Sequence, residues 1–174
     1  MCRSQPHTGS STISGQSSRS GPRRSFANGT VLIVDGTLVP TRCHTIAERS
    51  KKYRYSTNYQ IVTDADTRHV VLVGRSVPGN RNDCKAWEES GAKAAVGTTI
   101  TIADGGYQGT GLVMPYRRRK AEELSDWKQA YNKSHKQVRA RVEHLFARLK
   151  NWKILRDCRL KGDGVHHAML GIAG

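Results

Sequence analysis

Apolar positions divide the middle of the chain into four strands and one short helix. Residues 31–34, Val-Leu-Ile-Val, form a continuous apolar run that Asp35 closes, and this pattern over 31–35 is typical of a strand buried on both faces. Residues 53–63 alternate in character, which predicts a strand with one face toward the core, and residues 69–73 predict the returning strand of a hairpin. A short helix is expected over residues 83–89, and a fourth strand over 99–103.

The strongest helical pattern lies near the C-terminal end. We expect a helix from Ser134, as its N-cap, to about Lys153. Its apolar residues follow the i, i+4, i+7, i+8, i+11 spacing of one helix face: Val138, Val142, Leu145, Phe146 and Leu149. The order of elements predicts an α/β domain with a mixed sheet and flanking helices, in which the first and fourth strands lie side by side and parallel. The three tryptophans, Trp87, Trp127 and Trp152, are expected to be core or half-buried residues.

Charge is concentrated in one third of the chain. The formal net charge is +15, and residues 117–161 contain fifteen basic and five acidic residues. A basic surface confined to part of a fold indicates a polyanion-binding protein. The alternative is a solvated, charged face with no partner, but the net charge exceeds the magnitude of about 2–8 that is usual for small soluble domains.

The N-terminal residues differ in composition from the rest of the chain. Residues 1–28 are rich in Ser, Gly and Arg, so we expect a disordered tail followed by one domain over residues 29–174. Neither a secretory signal nor an apolar run long enough to span a membrane is found. The four cysteines form no CxxC pair and match no common zinc site, which favours a reducing, cytoplasmic setting.

Three acidic residues occupy positions suited to phosphodiester chemistry. Asp35 and Asp104 each close a predicted strand, and Glu143 lies on the amphipathic helix. Carboxylates in such an arrangement can hold two divalent metals about 3.5–4 Å apart. Each acid also has a structural explanation: the two Asp-Gly pairs are turn formers, and Glu143 is a possible i, i+4 partner of Arg139. Their combination favours the catalytic interpretation.

Several ordered motifs make the resemblance to a family specific. The chain resembles the catalytic domain of DDE transposases, from the bacterial insertion-sequence group related to Harbinger elements. The matching segments are VDGTLVP (34–40), KKYRYSTNYQIVTDADTRHVV (51–71), PGNRNDCKAW (78–87), ADGGYQG (103–109) and RVEHLFARLKNWKIL (141–155). The helix also resembles the family signature Y-x2-R-x3-E-x6-K through Arg139, Glu143 and Lys150, with Lys136 in place of the tyrosine.

The resemblance implies a ribonuclease-H-like fold and a metal-dependent reaction. Asp35, Asp104 and Glu143 would be the catalytic, metal-binding triad. They would hold two Mg²⁺ ions, with Mn²⁺ as a substitute, for cleavage and strand transfer of DNA. Asp83 is interpreted as a helix N-cap with at most an accessory role. Tyr107 would stack on or orient DNA near the cut, or would be a half-buried packing residue.

The same resemblance implies duplex DNA, both element ends and target, as the partner. The basic residues of the long helix would contact it: Arg139, Lys150, Lys136, Arg141 and Arg148. A homodimer and an association with the nucleoid would follow. Related transposases place a helix-turn-helix region before the catalytic domain. Residues 1–30 show no such pattern, so a truncated chain without that module is expected.

Two rival functions fit parts of the sequence. A truncated, catalytically inactive transposase remnant would keep the basic surface and bind DNA without cutting it. A basic RNA-binding protein would explain the charge, but no RNP-like aromatic motif or KH-type loop is present.

Overall fold

The computed structural model of this protein describes residues 25–52, 55–118, 123–156 and 158–173. Most of the predicted N-terminal tail, residues 1–24, lies outside the described residues. Residues 25–28 are loop and turn, and Phe26 is half-buried against the core. None of the helices in the described part of the chain is long and apolar enough to cross a membrane.

A mixed five-stranded sheet forms the centre of the fold. Its strands are β1 (Leu32–Pro40), β2 (Ser56–Asp64), β3 (Val70–Val73), β4 (Val77–Pro78) and β5 (Thr101–Ile102). The order is β3-β2-β1-β5, and β4 also pairs with β2. β1 is antiparallel to β2 and parallel to β5. The predicted parallel pairing of the strand after residue 99 with the first strand is therefore confirmed.

The first strand is longer than its apolar run. β1 continues for five residues beyond Asp35 and pairs with β2 along its whole length, including Gly36 with Gln60. The expectation that Asp35 closes the strand is therefore wrong, and Asp35 lies in the middle of β1. Gly36 does not end the strand because the antiparallel partner continues beside it.

The second strand is buried on both faces. Every residue from Ser56 to Thr63 is buried, so the prediction of a half-exposed strand is wrong. Tyr59 and Ile61 belong to one hydrophobic cluster, and Val62 belongs to a second cluster on the opposite face. The polar residues between the apolar ones are therefore interior residues, whose hydrogen bonds must come from other parts of the fold.

Helices cover both faces of the sheet, as predicted. They are α1 (Asp83–Glu89), α2 (Ala92–Val96), α3 (Asp126–Asn151), α4 (Lys153–Arg156) and α5 (Gly164–Ala173). The first hydrophobic cluster joins α3, α4 and α5 to one face of the sheet. The second joins α1 and α2 to the other face through Leu32, Val34 and Trp87. α1 confirms its sequence prediction, whereas α2 was not predicted.

The long helix begins two turns earlier than predicted. α3 starts at Asp126 after Ser125, so the assignment of Ser134 as N-cap is wrong. The hydroxyl of Ser134 donates instead to the carbonyl oxygen of Ala130, 3.2 Å away and one turn back. A serine can occupy a helix interior when its hydroxyl bonds to the i−4 carbonyl in this way.

Candidate active site

Asp35 faces the long helix. It lies two residues after Ile33, on the same face of β1, and Ile33 packs in the cluster containing α3. The guanidinium of Arg139 on α3 lies 3.6 Å from Asp35 Oδ1, and the two side chains are 25% and 26% exposed. The same carboxylate oxygen accepts a hydrogen bond from the backbone N–H of Gly36 at 3.1 Å. Asp35 is therefore a half-buried carboxylate in contact with a cation.

Asp104 follows the neighbouring strand, β5. The last paired residues of the two parallel strands are Ile33 and Ile102, and Asp35 and Asp104 each follow them by two residues. Asp104 Oδ1 accepts from the N–H of Gly106 at 2.8 Å, which closes the turn after β5. Adjacent strands lie about 4.8 Å apart, so this register brings the two acids to the same part of the sheet.

Asp83 is not a helix cap. The N-cap of α1 is Asn82, whose side-chain oxygen accepts from Lys85 N at 2.9 Å, so the predicted capping role of Asp83 is wrong. The carboxylate of Asp83 instead lies over β1. A Cβ added to Gly36 would stand 2.5 Å from Asp83 Oδ1, which explains why this position has no side chain.

Asp83 and Asp104 meet beside a second glycine. A Cβ added to Gly106 would stand 2.9 Å from Asp104 Oδ1 and 3.1 Å from Asp83 Oδ2. The two oxygens are therefore no more than about 6 Å apart. The thiol of Cys84 donates to the carbonyl oxygens of Gly106 and Gln108 at 3.1 and 3.3 Å, which ties the turn to α1.

A buried network of hydrogen bonds connects Tyr107 to Asp83 through side chains of β2. The hydroxyl of Tyr107 donates to Gln60 Oε1 at 2.6 Å, and Gln60 Nε2 donates to Asn58 Oδ1 at 3.1 Å. The side chains of Asn58 and Gln60 also hydrogen-bond to Asp83. Sequence reasoning missed both residues because the alternation of β2 placed them on the solvent side.

Burial and neighbouring charges shift the pKa values of Asp83 and Tyr107. Burial raises the pKa of Asp83, the Asn58 hydrogen bond opposes this, and the charge of Asp104 raises it further. Burial is also the largest cause of the raised pKa of Tyr107, followed by the charges of Asp83, Asp35 and Asp104. The phenol hydroxyl therefore lies in the field of all three carboxylates and stays protonated.

Tyr107 is a core residue. It is fully buried and packs edge-on against Trp87, with ring centroids 6.4 Å apart. Its ring is not accessible for stacking on DNA, so the packing alternative describes it better. An accessory role for Tyr107 near the cut stays a prediction.

The structure does not bring Glu143 together with the two aspartates. Glu143 is exposed on α3, one turn beyond Arg139. Within the described ranges, no group of three or more His, Cys, Asp or Glu side chains is arranged to hold a metal ion. The predicted triad is therefore not assembled in this conformation, and its role stays a prediction.

The predicted DNA-contacting residues are spread around α3. Lys136, Arg141 and Arg148 are exposed, whereas Arg139 points to Asp35. Arg141 also approaches Asp66 in the β2–β3 turn, at 3.6 Å. Lys150 lies in the last turn of the helix.

The donor chemistry at this site suits a hard divalent cation. Carboxylate oxygens are the preferred ligands of Mg²⁺, whereas structural zinc centres are built mainly from Cys and His. Gly36 and Gly106 leave the space that a Cβ would fill beside the carboxylates of Asp83 and Asp104. Asp83 and Asp104 thus supply the type of donor that magnesium prefers, and the present position of Glu143 adds no further ligand.

An aromatic surface lies beyond Asp104. A cavity of about 620 Å³ extends from Asp104 and Gly105 to Tyr116 and Arg117. Tyr116 packs edge-on against Trp127, which is 59% exposed. Trp152 is 54% exposed, so the expectation that all three tryptophans are core or half-buried holds only for Trp87.

The fold is a mixed sheet with helices on both faces, and comparison with known families defines the class of the protein. The chain belongs to the transposase DDE domain family, whose model matches residues 27–174.

A relative from Streptomyces albus G, the putative transposase for insertion sequence element IS112, is 79% identical to this chain over 153 residues. The matched region covers 87% of this chain and 60% of the relative. The chain therefore spans about 60% of the length of that transposase. No solved structure matches the chain.

Proposed function

We propose that this chain carries out metal-dependent DNA strand cleavage and strand transfer in transposition, on a ribonuclease-H-like fold formed by residues 29–174. The observation that carries the proposal is that Asp35 within β1 and Asp104 just beyond β5 each follow the last paired residues of these parallel strands by two residues. Membership of the transposase family supports the same reaction. The proposal covers the activity of this chain and also that of a full-length transposase of the family.

The catalytic metal ligands in this proposal are Asp35, Asp104 and Glu143, with Asp83 as an accessory acid. Glu143 follows Arg139 by four residues, so both project from the same side of α3. The contact of Arg139 with Asp35 supports a role for Glu143 near the aspartates, although Glu143 is not in contact with them here. Two Mg²⁺ ions, or Mn²⁺ as a substitute, would supply activation of the attacking oxygen and stabilisation of the leaving oxygen.

Duplex DNA is the proposed partner, at the element ends and at the target. Arg139, Lys150, Lys136, Arg141 and Arg148 would contact its phosphates, and each contact would add to the salt dependence of binding. Two copies of the chain would hold paired DNA ends. Association with the nucleoid follows from this substrate.

Nicking of supercoiled plasmid by the purified chain tests the proposal. We expect nicking with Mg²⁺ or Mn²⁺, none with EDTA, and none by the Asp104→Ala variant. Asp126→Ala, which removes an exposed carboxylate from the first turn of α3, is the charge-matched control and should nick normally. Equal nicking by the Asp104→Ala variant would remove Asp104 from the site.

A DNA-binding protein that does not cut is the second candidate. The contact between Arg139 and Asp35 favours it, because a carboxylate paired with a guanidinium must exchange that partner before it can bind a cation. Duplex binding without nicking under any metal condition would establish this candidate.

A further inference from the structure

A basic cavity lies on the side of β1 opposite to α3. Its volume is about 420 Å³, and its floor is formed by Gly36, Leu38 and the buried Asn58. Gly36 and Leu38 alternate with Asp35 along the strand, so they face away from Arg139. The rim residues come from two loops: Arg49, Ser50 and Lys51 from one, and Gly79, Asn80, Arg81, Asn82 and Asp83 from the other.

Both loops are fixed to the same backbone atom. The carbonyl oxygen of Ser56 accepts from Glu48 N at 3.2 Å and from Gly79 N at 2.9 Å. Ser56 N donates back to the carbonyl oxygen of Glu48 at 3.1 Å. Arg49 follows directly after the first anchor, and Arg81 lies two residues after the second. Hydrogen bonds to the first residue of β2 therefore fix both loops that line the cavity.

Further bonds hold the second loop in place. Arg81 N donates to the carbonyl oxygen of Pro78 at 3.0 Å, and Asn58 Nδ2 lies 3.4 Å from the carbonyl oxygen of Arg81. These bonds involve only the backbone of Arg81. The side chain of Arg81 is oriented separately, by an ion pair in which its Nε lies 3.1 Å from Glu89 Oε2.

The charge of the cavity favours an anion at its rim. Three cations and one acid line it, and the acid is Asp83 at the end next to Asp104. Among the described residues, neither Arg49 nor Lys51 forms an ion pair with a carboxylate, whereas Arg81 pairs with Glu89. No described carboxylate pairs with these two cations, so they are available to a ligand, and the one acid of the lining, Asp83, lies at the end next to Asp104.

We propose that this cavity binds a backbone phosphate of the DNA strand that leads to Asp104, through Arg49 and Lys51. The proposal rests on the proposed function, because the strand is that of the same substrate. It adds a second phosphate-contacting surface across the sheet from α3. The strand would then pass beside the part of β1 that extends beyond its pairing with β5, with phosphates held on both sides of the carboxylates.

Salt-dependent binding of a short DNA duplex tests this surface. The variant Arg49→Ala/Lys51→Ala should bind more weakly, and the slope of log K against log salt should become shallower by about 1.8, since each lost phosphate contact contributes about 0.9. Arg68→Ala/Lys93→Ala removes the same charge from exposed positions outside the cavity and should keep the slope. Thermal melting should be unchanged in both variants.

The outcomes separate this proposal from the function on which it rests. A slope that equals that of the control pair would overturn the cavity assignment, while metal-dependent nicking would still stand. A second measurement follows the backbone amides of Asn80 and Asn82 by NMR as the same duplex is added. Shifts that disappear in the Arg49→Ala/Lys51→Ala variant are expected. Equal shifts with inorganic phosphate alone would show a free-anion site and contradict the assignment to a strand.

Discussion

Removing the hydroxyl of Tyr107 is the sharpest test of the buried network. In Tyr107→Phe the ring keeps its contact with Trp87, and only the hydrogen bond to Gln60 Oε1 is lost. Tyr107 and Gln60 are both fully buried, so water does not replace the lost partner. The Gln60 oxygen is then left unsatisfied in the core.

The magnitude follows from that lost partner. A buried acceptor without a hydrogen bond costs about 1–3 kcal/mol, more than the net value of about 1 kcal/mol for an ordinary hydrogen bond. We expect the free energy of unfolding to fall by about 1–3 kcal/mol in Tyr107→Phe. The shape of the core is preserved, so the dependence on denaturant should keep its slope.

Equilibrium urea unfolding measures this change. Tyr116→Phe is the matched control, because Tyr116 is 41% exposed and its substitution should alter stability by less than about 0.5 kcal/mol. A loss in Tyr107→Phe no larger than that of the control would refute the hydrogen bond and with it the network under Asp83.

Two further substitutions test the setting of Asp83. Because its pKa is raised in the folded state, its contribution to stability is greatest below the unfolded pKa of about 3.9 and is lost as pH rises through the folded value. Asp83→Asn should therefore gain stability relative to the unaltered chain as pH rises from 4 to 8. Urea unfolding that shows a constant difference over this range would contradict the burial of the charge. Gly36→Ala should cost about 1–3 kcal/mol, since its Cβ would crowd Asp83 Oδ1. That cost should shrink in an Asp83→Ala background, and full additivity in the double-mutant cycle would mean that the two residues do not touch.

Local periodicity predicted the elements whose environment is simple. The apolar run before Asp35 and the pattern over 99–103 identified two strands, and parallel pairing of these strands followed from the order of elements. Asp35 and Asp104 could therefore be located from the sequence. The end of β1 could not, because its continuation depends on pairing with β2 and not on apolar content.

The sequence signal failed where partners are distant in the chain. Asn58 and Gln60 are interior residues only because Asp83 and Tyr107 meet them from later segments. Asn82 and Asp83 are both good N-cap residues, so propensity alone does not decide between them. For Glu143 the family signature predicts a role but not a position, because the direction of a side chain on a long helix depends on how the helix packs.

The position of Asp35 within β1 divides the site into a stationary and a movable part. Asp35 lies in a strand that is paired with β2 at every residue, so displacing its backbone would break a ladder at the centre of the sheet. Asp104 lies on a short turn beyond β5, held to α1 by a thiol, and Glu143 lies on an exposed helix surface. Regions with fewer buried contacts open at lower free-energy cost than core strands. In the proposed site, an adjustment that assembles the acids around a substrate would therefore be made by the turn and the helix, with Asp35 as the fixed reference.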